Sequence, residues 1–425
     1  MNGGRAQIDY FTGNSLSDLF GDDIAGARHA FILPYPCTGS WAYYPNTRKY
    51  FIQDGSREET KVGYDKICQK EPWKMMAVLG DAMPGVLVQR PRDILVSYWR
   101  DALGHAYDNM LVLERAVWCD FLNQHPEYEK FLTLFPFDRL AAGRHAIDPE
   151  AHYRLLSKAT LAEMDINAPR YTTYDLRKTP LEEIDLPNEY PYLVKTTHGL
   201  SGEGTYIIRR IHDVEFCFRE LRYYMEAKLV TEIVVSAFVK DEVANYCVQF
   251  YVDKQGVPKL LGATSQLVSL AGVFLGGLIR YAETDMARFA PMIGRMAAFA
   301  HQHGYFGVIG LDVLEDKDGR LHCIDANIRV NGSTPLCLQR HTLMGMGKNV
   351  AKYSSGYQMQ GTLDDVLVAL KPALDRHDFI ILSALEKVKH GRIFCEIYGI
   401  VAGETLEEMQ RLEADLAAKG LTQTD

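Results

Sequence analysis

The 425-residue chain lacks the features of several large classes of protein. No run of 18 apolar residues occurs, so no membrane-spanning helix is expected. The net charge of -9 lacks the basic excess that nucleic-acid-binding proteins normally show. No basic segment followed by an apolar one occurs at the start, so a secretory signal is not predicted. We therefore expect neither a nucleic-acid partner nor a membrane partner.

Cysteine is present, but without the spacing of a metal or redox site. The eight cysteines are scattered and include no CxxC pair. This distribution is typical of buried thiols in a reducing compartment, so a cytoplasmic location is expected. His301 and His303 are close in sequence, but they would diverge on a helix, which argues against a metal site there.

The length predicts two or three domains. Up to about residue 149 the chain mixes strand-like runs (29–35, 85–89) with helical stretches (98–113, 116–124), which is typical of an α/β domain. The pattern changes at a predicted helix over 150–164. In the last 65 residues or so, strands are predicted at 378–382 and 392–400 and a helix at 406–419, a small α/β piece.

Two short β-runs, residues 308–314 and 321–328, flank the turn-prone sequence DKDG at 316–319. This pattern predicts a β-hairpin. If these four residues form the loop, Asp312 is expected to lie opposite Cys323.

Three oxygen-bearing side chains of this hairpin are then expected on one face. Side chains alternate along a strand, so Asp325 and Asn327 share the face of Cys323, which Asp312 opposes. A register shift of one residue would separate the set. Two carboxylates and an amide oxygen suit a hard cation such as Mg²⁺. The alternative is a solvated hairpin face with ordinary surface acids.

A glycine-rich loop follows the strand-like run 192–196. Gly199, Gly202 and Gly204 stand within six residues, and their backbone N–H groups can approach an anion closely because no Cβ intervenes. A strand follows and the GKS or GKT ending is missing, so neither a P-loop nor a dinucleotide-binding fingerprint fits. The loop is predicted to bind phosphate, with turn formation alone as the alternative.

Two lysines strengthen this prediction. Lys195 lies within the apolar strand, where burial is costly without an anionic partner. Lys158, on the predicted helix 150–164, would supply a second ammonium group unless it faces solvent.

The order of these elements resembles the ATP-grasp ligase superfamily. A helix lysine is followed by a strand lysine with a glycine-rich flap, an apolar strand at 233–239, and an acidic hairpin that ends in DANIR at 325–329. The resemblance implies an α+β fold in which two subdomains clasp ATP, with an N-terminal α/β domain and a small C-terminal α/β extension. The implied limits are 1–149, 150–356 (subdomains 150–232 and 233–356) and 357–425.

The resemblance also implies roles for matching residues. The flap 198–204 closes over the phosphates, and the backbone of the 233–239 strand binds the adenine edge. The residues implied to bind ATP are Lys158, Lys195, His198, Gly199, Ser201, Gly202, Gly204, Ala237 and Val239. One or two Mg²⁺ ions are implied at Asp312, Asp325 and Asn327. Arg329 matches an arginine placed near the transferred phosphate and the acyl group.

Two positions depart from the family pattern. Glutamate is usual at the second metal position and frequent at the first, where this chain has Asp325 and Asp312, so two full metal sites are in question. The arginine that some members place two residues before the first metal acid is Gly310 here. Arg280, after the glycine-rich run 271–279, is our candidate to hold a substrate carboxylate, the alternative being that it caps a surface loop.

The function implied is that of an ADP-forming ligase. A substrate carboxylate becomes an acyl phosphate and an amine attacks it, with Arg329, Arg280 and Lys195 stabilising charge. The terminal regions loosely resemble those of amino-acid and peptide ligases in natural-product pathways, which implies an amino acid as acyl donor. Two alternatives stay open: transfer to a carrier-protein thiol, and an ATP-binding scaffold without turnover. The expected partners are small-molecule carboxylate and amine substrates, with a carrier protein and a second copy of the chain as further options.

Overall fold

The computed structural model describes residues 8–26, 28–35, 48–50, 52, 65–113, 118–200, 202–227, 229–269, 274–283 and 285–423. Three sheets organise this part of the chain. None of its helices is long and apolar enough to cross a membrane.

The first sheet is parallel, with strand order β3-β2-β1-β4. Its strands are linked by helices, as parallel strands require, which agrees with the predicted α/β character. A π-helical turn, Asp65–Lys70, leads directly into α2. The elements are α1 (Leu16–Ile24), β1 (His29–Ile32), α2 (Glu71–Ala77), β2 (Gly85–Leu87), α3 (Asp93–Leu103), β3 (Met110–Val112), α4 (Trp118–Gln124) and β4 (Lys130–Thr133).

The helix predicted over 98–113 is wrong at its second half. Helix α3 ends at Leu103, where Gly104 takes the left-handed conformation (φ 77°) that commonly terminates helices. The chain then forms β3, which pairs with β2. The apolar residues of 110–112 therefore serve a sheet rather than a helix face.

The second sheet is small and antiparallel, with order β5-β8-β6-β7. Helix α6 covers it, and the buried face of α6 carries Val214, Cys217 and Leu221. The elements are α5 (Pro149–Leu155), β5 (Tyr171–Asp175), β6 (Tyr192–Thr196), β7 (Thr205–Ile208), α6 (Ile211–Glu226) and β8 (Glu232–Ala237).

The single helix predicted over 150–164 is split. Helix α5 ends at Leu155 and a 3₁₀ helix, Lys158–Met164, begins after Ser157, whose hydroxyl accepts a hydrogen bond from the N–H of Ala159. The N–H of Lys158 donates to the carbonyl of Thr197 over 2.8 Å, next to the glycine-rich loop. The break therefore places Lys158 beside that loop.

The third sheet has nine strands in the order β13-β12-β9-β10-β11-β14-β16-β15, with β17 beside β14. Helix α7 packs on one face. The elements are β9 (Glu242–Val252), β10 (Pro258–Val268), β11 (Phe274–Arg280), α7 (Ala290–Gln302), β12 (Gly307–Asp316), β13 (Leu321–Asn327), α8 (Thr334–Leu338), α9 (Arg340–Gly345), β14 (Val350–Gln360), α10 (Leu363–Asp375), β15 (Phe379–Lys389), β16 (Arg392–Gly403), α11 (Leu406–Ala418) and β17 (Thr422–Gln423).

The C-terminal strands continue this large sheet. Strand β14 pairs with β11 on one side and with β16 on the other. The expected boundary at residue 356 falls inside β14, so the extension 357–425 shares a sheet with the preceding segment. Its two strands and final helix lie where the sequence predicts them.

Close approach of β11 to β14 depends on Gly276. A Cβ at this position would lie 2.1 Å from the carbonyl oxygen of Tyr353 on β14. We expect Gly276→Ala to lower the free energy of unfolding by roughly 1–3 kcal/mol, since the two backbones must separate. Gly294 is exposed on α7, where an added methyl group would meet no atom within 4 Å, so Gly294→Ala is the matched control and should be neutral or stabilising. Urea unfolding measures both; equal stabilities would contradict this account.

Candidate active site

The acidic hairpin is formed by β12 and β13, with a register that differs from the predicted one. Val313 pairs with Cys323, and a β-bulge then makes Asp312 pair with Asp325. The predicted partner of Asp312, Cys323, is therefore wrong. The turn and the bulge each shift the register by one residue, so the two shifts together preserve the face. Asp312 consequently lies on the same face as Asp325, as expected.

The bulge leaves Ile324 without a ladder partner on β12. Its carbonyl accepts a hydrogen bond from the ammonium group of Lys195 over 3.1 Å. Lys195 is 8% exposed, and burial lowers its pKa although the carboxylate of Asp325 opposes this effect. A buried ammonium group with a single carbonyl partner favours anion binding at this position.

The pKa values of the two hairpin carboxyls are shifted in opposite directions. Burial raises the pKa of Asp325, but Lys158 and Lys195 outweigh it and the net shift is downward; the Lys158 ammonium lies 2.7 Å from an Asp325 oxygen. For Asp312, burial and the negative charge of Asp325 raise the pKa to about 6. Its oxygens accept hydrogen bonds from Gln266 (2.6 Å) and Asn327 (3.0 Å). Asp325 is thus paired with an ammonium group, whereas Asp312 accepts hydrogen bonds from two neutral amides.

The glycine-rich loop joins β6 to β7. Gly202 and Gly204 have positive φ values of 89° and 73°, which disfavour a side chain. At Gly199 a Cβ would lie 2.2 Å from the Glu203 carbonyl oxygen. Ser201, predicted to bind ATP, lies outside the described residues. The glycines therefore fix the shape of the loop.

His198 has a structural contact at the base of this loop. Its ring stacks on Tyr153 at 3.9 Å between centroids, and its Nε2 atom lies 2.9 Å from the Tyr153 carbonyl oxygen. Burial lowers the pKa of His198 to about 4, so the ring is neutral near pH 7. It brings no positive charge to the loop.

A cavity of about 460 Å³ lies between the second and third sheets. Apolar side chains from both sheets form part of its wall. They are Leu193, Ile207, Phe238 and Leu314. The polar side chains predicted for the site that line the same cavity are Lys158, Lys195, Asp312, Asp325, Asn327 and Arg329. The structure therefore brings together six side chains from three separate segments.

The predicted adenine contacts are not placed as expected. Strand β8 ends at Ala237, whose N–H donates to the carbonyl of Arg170 over 2.8 Å. Strand β8 has a neighbour on each side, and the Ala237 N–H is used toward β5. This N–H is therefore not free to bind adenine. Neither Ala237 nor Val239 is among the residues that line the cavity, whereas Phe238 is.

Arg329 follows β13 and is 7% exposed. Its guanidinium group donates to the Asn327 side-chain oxygen (2.8 Å) and the Val330 carbonyl (3.2 Å), and lies 4.9 Å from the ring centroid of Phe135. Within the described part of the chain it forms no ion pair with a carboxylate. A buried arginine of this kind is a candidate site for an anionic group.

Arg280 does not line the cavity that contains the other predicted side chains. Pairing across β12, β9 and β10 aligns Asp312 with Thr264, whereas Leu278 aligns with the next residue, Ser265, so that Leu278 and Arg280 occupy the other face of the sheet. Arg280 lines a separate pocket and lies 3.5 Å from Glu283. Its position after a glycine-rich run did not reveal which face its side chain takes.

Gly310 stands where some ATP-grasp members are expected to have an arginine, and its surroundings leave no room for a side chain. A Cβ there would lie 2.2 Å from the side-chain nitrogen of Asn331. Asn331 is buried and accepts hydrogen bonds from Gln249 (2.9 Å) and from the N–H of Ser333 (3.0 Å). An arginine at 310 would have to displace this network.

Several lining residues were not predicted from the sequence. Gln266 and Asn331 come from strand and loop positions that carry no recognisable motif. Glu71 and Lys74 lie on α2, and their spacing of three residues on a helix would have predicted a shared face, though not the cavity that this face meets.

Known proteins share sequence and fold features with this chain. Residues 169–327 match the family model described as "L-aspartate--L-methionine ligase, ATP grasp". A curated relative from Niallia circulans, [butirosin acyl-carrier protein]–L-glutamate ligase, is 23% identical over 59% of this chain. The chain spans 62% of the length of that relative.

Solved structures share the fold at low sequence identity. Carboxyaminoimidazole ribonucleotide synthase from Aspergillus clavatus, complexed with ATP, is 13% identical with a TM-score of 0.56, covering 92% of this chain and 98% of its own. L-amino acid ligase from Bacillus licheniformis is 13% identical with a TM-score of 0.50, covering 73% and 84%. The predicted α+β ATP-grasp fold is thereby confirmed. Over residues 169–327 the chain is thus similar in sequence to an ATP-grasp ligase family, and its fold is that of ATP-grasp proteins.

Proposed function

We propose that this protein activates a carboxylate with ATP, forming ADP and an acyl phosphate, and couples the acyl group to an amine. The observation that carries the proposal is the common cavity of Lys158, Lys195, Asp312, Asp325 and Arg329. These residues supply cations for a polyphosphate, carboxylates for a metal ion and an arginine for a further anion. The match of residues 169–327 to an ATP-grasp ligase family supports the same chemistry.

The lysine end of the cavity suits a nucleoside triphosphate. Lys195 and Lys158 place two ammonium groups beside a loop whose glycines leave backbone N–H groups accessible to phosphate. Apolar walls, including Leu193 and Phe238, suit an adenine ring. We assign Lys158 and Lys195 to the phosphates and the loop to their enclosure. Ala237 is no longer assigned to the adenine edge.

The residues present fit magnesium. Asp312 and Asp325 lie directly opposite each other, and burial together with the charge of Asp325 raises the pKa of Asp312. A hard divalent cation would supply a compensating positive charge, with Asn327 as a further oxygen donor. The Asn327 oxygen accepts a hydrogen bond from Arg329, so its amide must reorient to face a cation. Within the described residues, no third carboxylate, histidine or cysteine completes such a group.

The chemistry follows from the positions of the charges. A substrate carboxylate next to Arg329 attacks the terminal phosphate, and Lys195 stabilises negative charge as ADP departs. The amine then attacks the acyl carbon, and Arg329 stabilises the departing phosphate. Exclusion of water by the loop 198–204 would protect the acyl phosphate from hydrolysis. A covalent enzyme nucleophile is not required.

An amino acid is the proposed acyl donor. The matched family model and the curated relative both name an acidic amino acid, aspartate in one and glutamate in the other. The name of the curated relative also favours a second candidate, in which a carrier protein is the other substrate. Both candidates use the same nucleotide site.

A phosphate-release screen tests the proposal. The protein would be incubated with ATP, Mg²⁺ and pairs of amino acids and amines, and the nucleotide product would be identified. ADP formed only when both substrates are present supports ligation through an acyl phosphate. AMP would point to adenylation and contradict the proposal. Turnover that requires an added carrier protein would favour the second candidate.

The two arginines provide a matched pair of substitutions. We expect Arg329→Met to reduce ADP formation by roughly 100-fold or more, because a buried charge that stabilises the transferred group is lost. Arg280→Met removes the same charge from the opposite face of the sheet and should leave the rate within about twofold. Initial rates of ADP formation measure both. A severe loss for Arg280→Met would contradict the assignment of faces.

The raised pKa of Asp312 predicts that the stability of the metal-free protein depends on pH. Its folded-state pKa of about 6 lies above the unfolded value near 3.9, so the contribution of this carboxyl to stability is largest at low pH and is lost as the pH rises through about 6. Asp312→Asn should therefore gain stability relative to the unaltered protein, by roughly 1–2 kcal/mol between pH 4.5 and 7.5. Urea unfolding in EDTA at several pH values measures the free energy of unfolding of both proteins. A constant difference between the two proteins across this pH range would contradict the prediction.

A further inference from the structure

The same cavity is lined by a second cluster of charges. It comprises residues of α2 and of the segment before it together with Arg329, and we call the part of the cavity that it lines the α2 end. The residues that line this end are Tyr35, Lys66, Glu71, Lys74, Arg329 and Tyr353. The ATP-binding assignments above use only Arg329 from this group.

Glu71 and Lys74 form a buried ion pair within this cluster. Their carboxylate and ammonium groups lie 2.5 Å apart, one helical turn from each other on α2. Lys74 is 1% exposed, and its ammonium lies 5.4 Å from the ring centroid of Tyr353 and 5.5 Å from that of Tyr398. Both charges thus sit in an aromatic wall of the cavity, where desolvation is costly.

The Glu71–Lys74 pair lies close enough to Arg329 to interact with its charge. The Tyr35 hydroxyl interacts with Glu71 and with Arg329, and Lys74 feels the charge of Arg329. A molecule that occupied this end would therefore meet Arg329, Glu71 and Lys74 together.

The charges at this end do not balance. Arg329, Lys74 and Lys66 contribute three cations, and Glu71 is the single carboxylate among the described residues that line it. Burial opposes ionisation of Glu71, but Lys74 and Lys66 keep its pKa low, so it is a carboxylate near neutral pH. A ligand with two carboxylates and one ammonium group complements this arrangement, since each of its charges meets an opposite one.

The segment that carries the pair is held in place. Lys70 lies 2.8 Å from Glu396 on β16, and Lys387 on β15 lies 3.3 Å from Asp65. These contacts join both ends of the π-helical turn before α2 to the large sheet. Glu71 and Lys74 are consequently presented from a fixed position, as a specificity site requires.

We infer that Glu71 and Lys74 select an acidic amino acid as the acyl donor. The Glu71 carboxylate accepts the substrate ammonium, and Lys74 binds the carboxylate that does not react, which leaves the other carboxylate beside Arg329. A carboxylate has several acceptor positions, so Glu71 can bind an ammonium group while it remains paired with Lys74. This inference rests on the proposed function and assigns substrate recognition to the same cavity.

Calorimetric titration tests the inference without requiring turnover. The protein, saturated with a non-hydrolysable ATP analogue and Mg²⁺, is titrated with L-aspartate, L-glutamate, succinate, glutarate and L-alanine. The unaltered chain should bind one acidic amino acid at least about tenfold more tightly than its matched dicarboxylate and than alanine, as expected for one lost charged contact. Glu71→Gln should remove the preference over the dicarboxylate, and Lys74→Met the preference over alanine.

Two further variants separate recognition from folding. The double variant Glu71→Lys with Lys74→Glu keeps an ion pair on α2 but exchanges its charges, so it should fold, bind the ATP analogue and lose at least about tenfold in amino-acid affinity. Lys348→Met breaks a buried pair of the same kind, 2.6 Å from Asp378 and outside the cavity lining, and should leave that affinity unchanged.

The possible results separate the two proposals. If the ATP analogue binds but neither acidic amino acid does, or if Glu71→Gln weakens amino acid and dicarboxylate equally, the inference is overturned while the proposed function stands. If the double exchange leaves amino-acid affinity intact, the pair is structural and the inference is again overturned. Failure of the unaltered chain to bind the ATP analogue would remove the proposed function, and the inference with it.

Discussion

The arrangement of the site depends on the burial of two lysine ammonium groups between two sheets. Lys195 comes from the small sheet and contacts the Ile324 carbonyl, while Lys158 contacts Asp325 on the same hairpin of the large sheet. Removing one partner of a buried ion pair typically costs about 3–5 kcal/mol because the other charge stays buried, so the Lys158–Asp325 contact should be sensitive to substitution of either residue. Among the described residues Asp312 forms no ion pair of its own, so a bound cation would stabilise this carboxylate most.

Local sequence patterns were enough to predict several elements of the fold and the shared face of the acidic hairpin. Alternation along β13 placed Asp325 and Asn327 on one face, and an apolar strand around Lys195 marked a buried charge. The C-terminal strands and helix were likewise evident from periodicity. The hairpin register was wrong because neither the longer turn nor the bulge has a strong sequence signal. The common face survived since a displacement of two residues preserves side-chain direction.

Other parts of the site depend on contacts between distant segments. The face of Arg280 follows from pairing across four strands, and the engagement of the Ala237 N–H follows from a neighbour on the far side of β8. Glu71 and Lys74 reach the cavity only because α2 packs against the large sheet, more than 200 residues further along the chain. Sequence spacing within one element cannot reveal such proximity.

The contact between Gly310 and Asn331 limits the order in which this site can change. Asn331 occupies the space that a side chain at 310 would need, and it is tied to Gln249 and to the backbone of Ser333. An arginine introduced first would meet a filled position, whereas a smaller residue introduced first at 331 would open it. We therefore expect the effects of substitutions at 310 and 331 on stability to be non-additive, with a smaller residue at 331 relieving the cost of a larger one at 310.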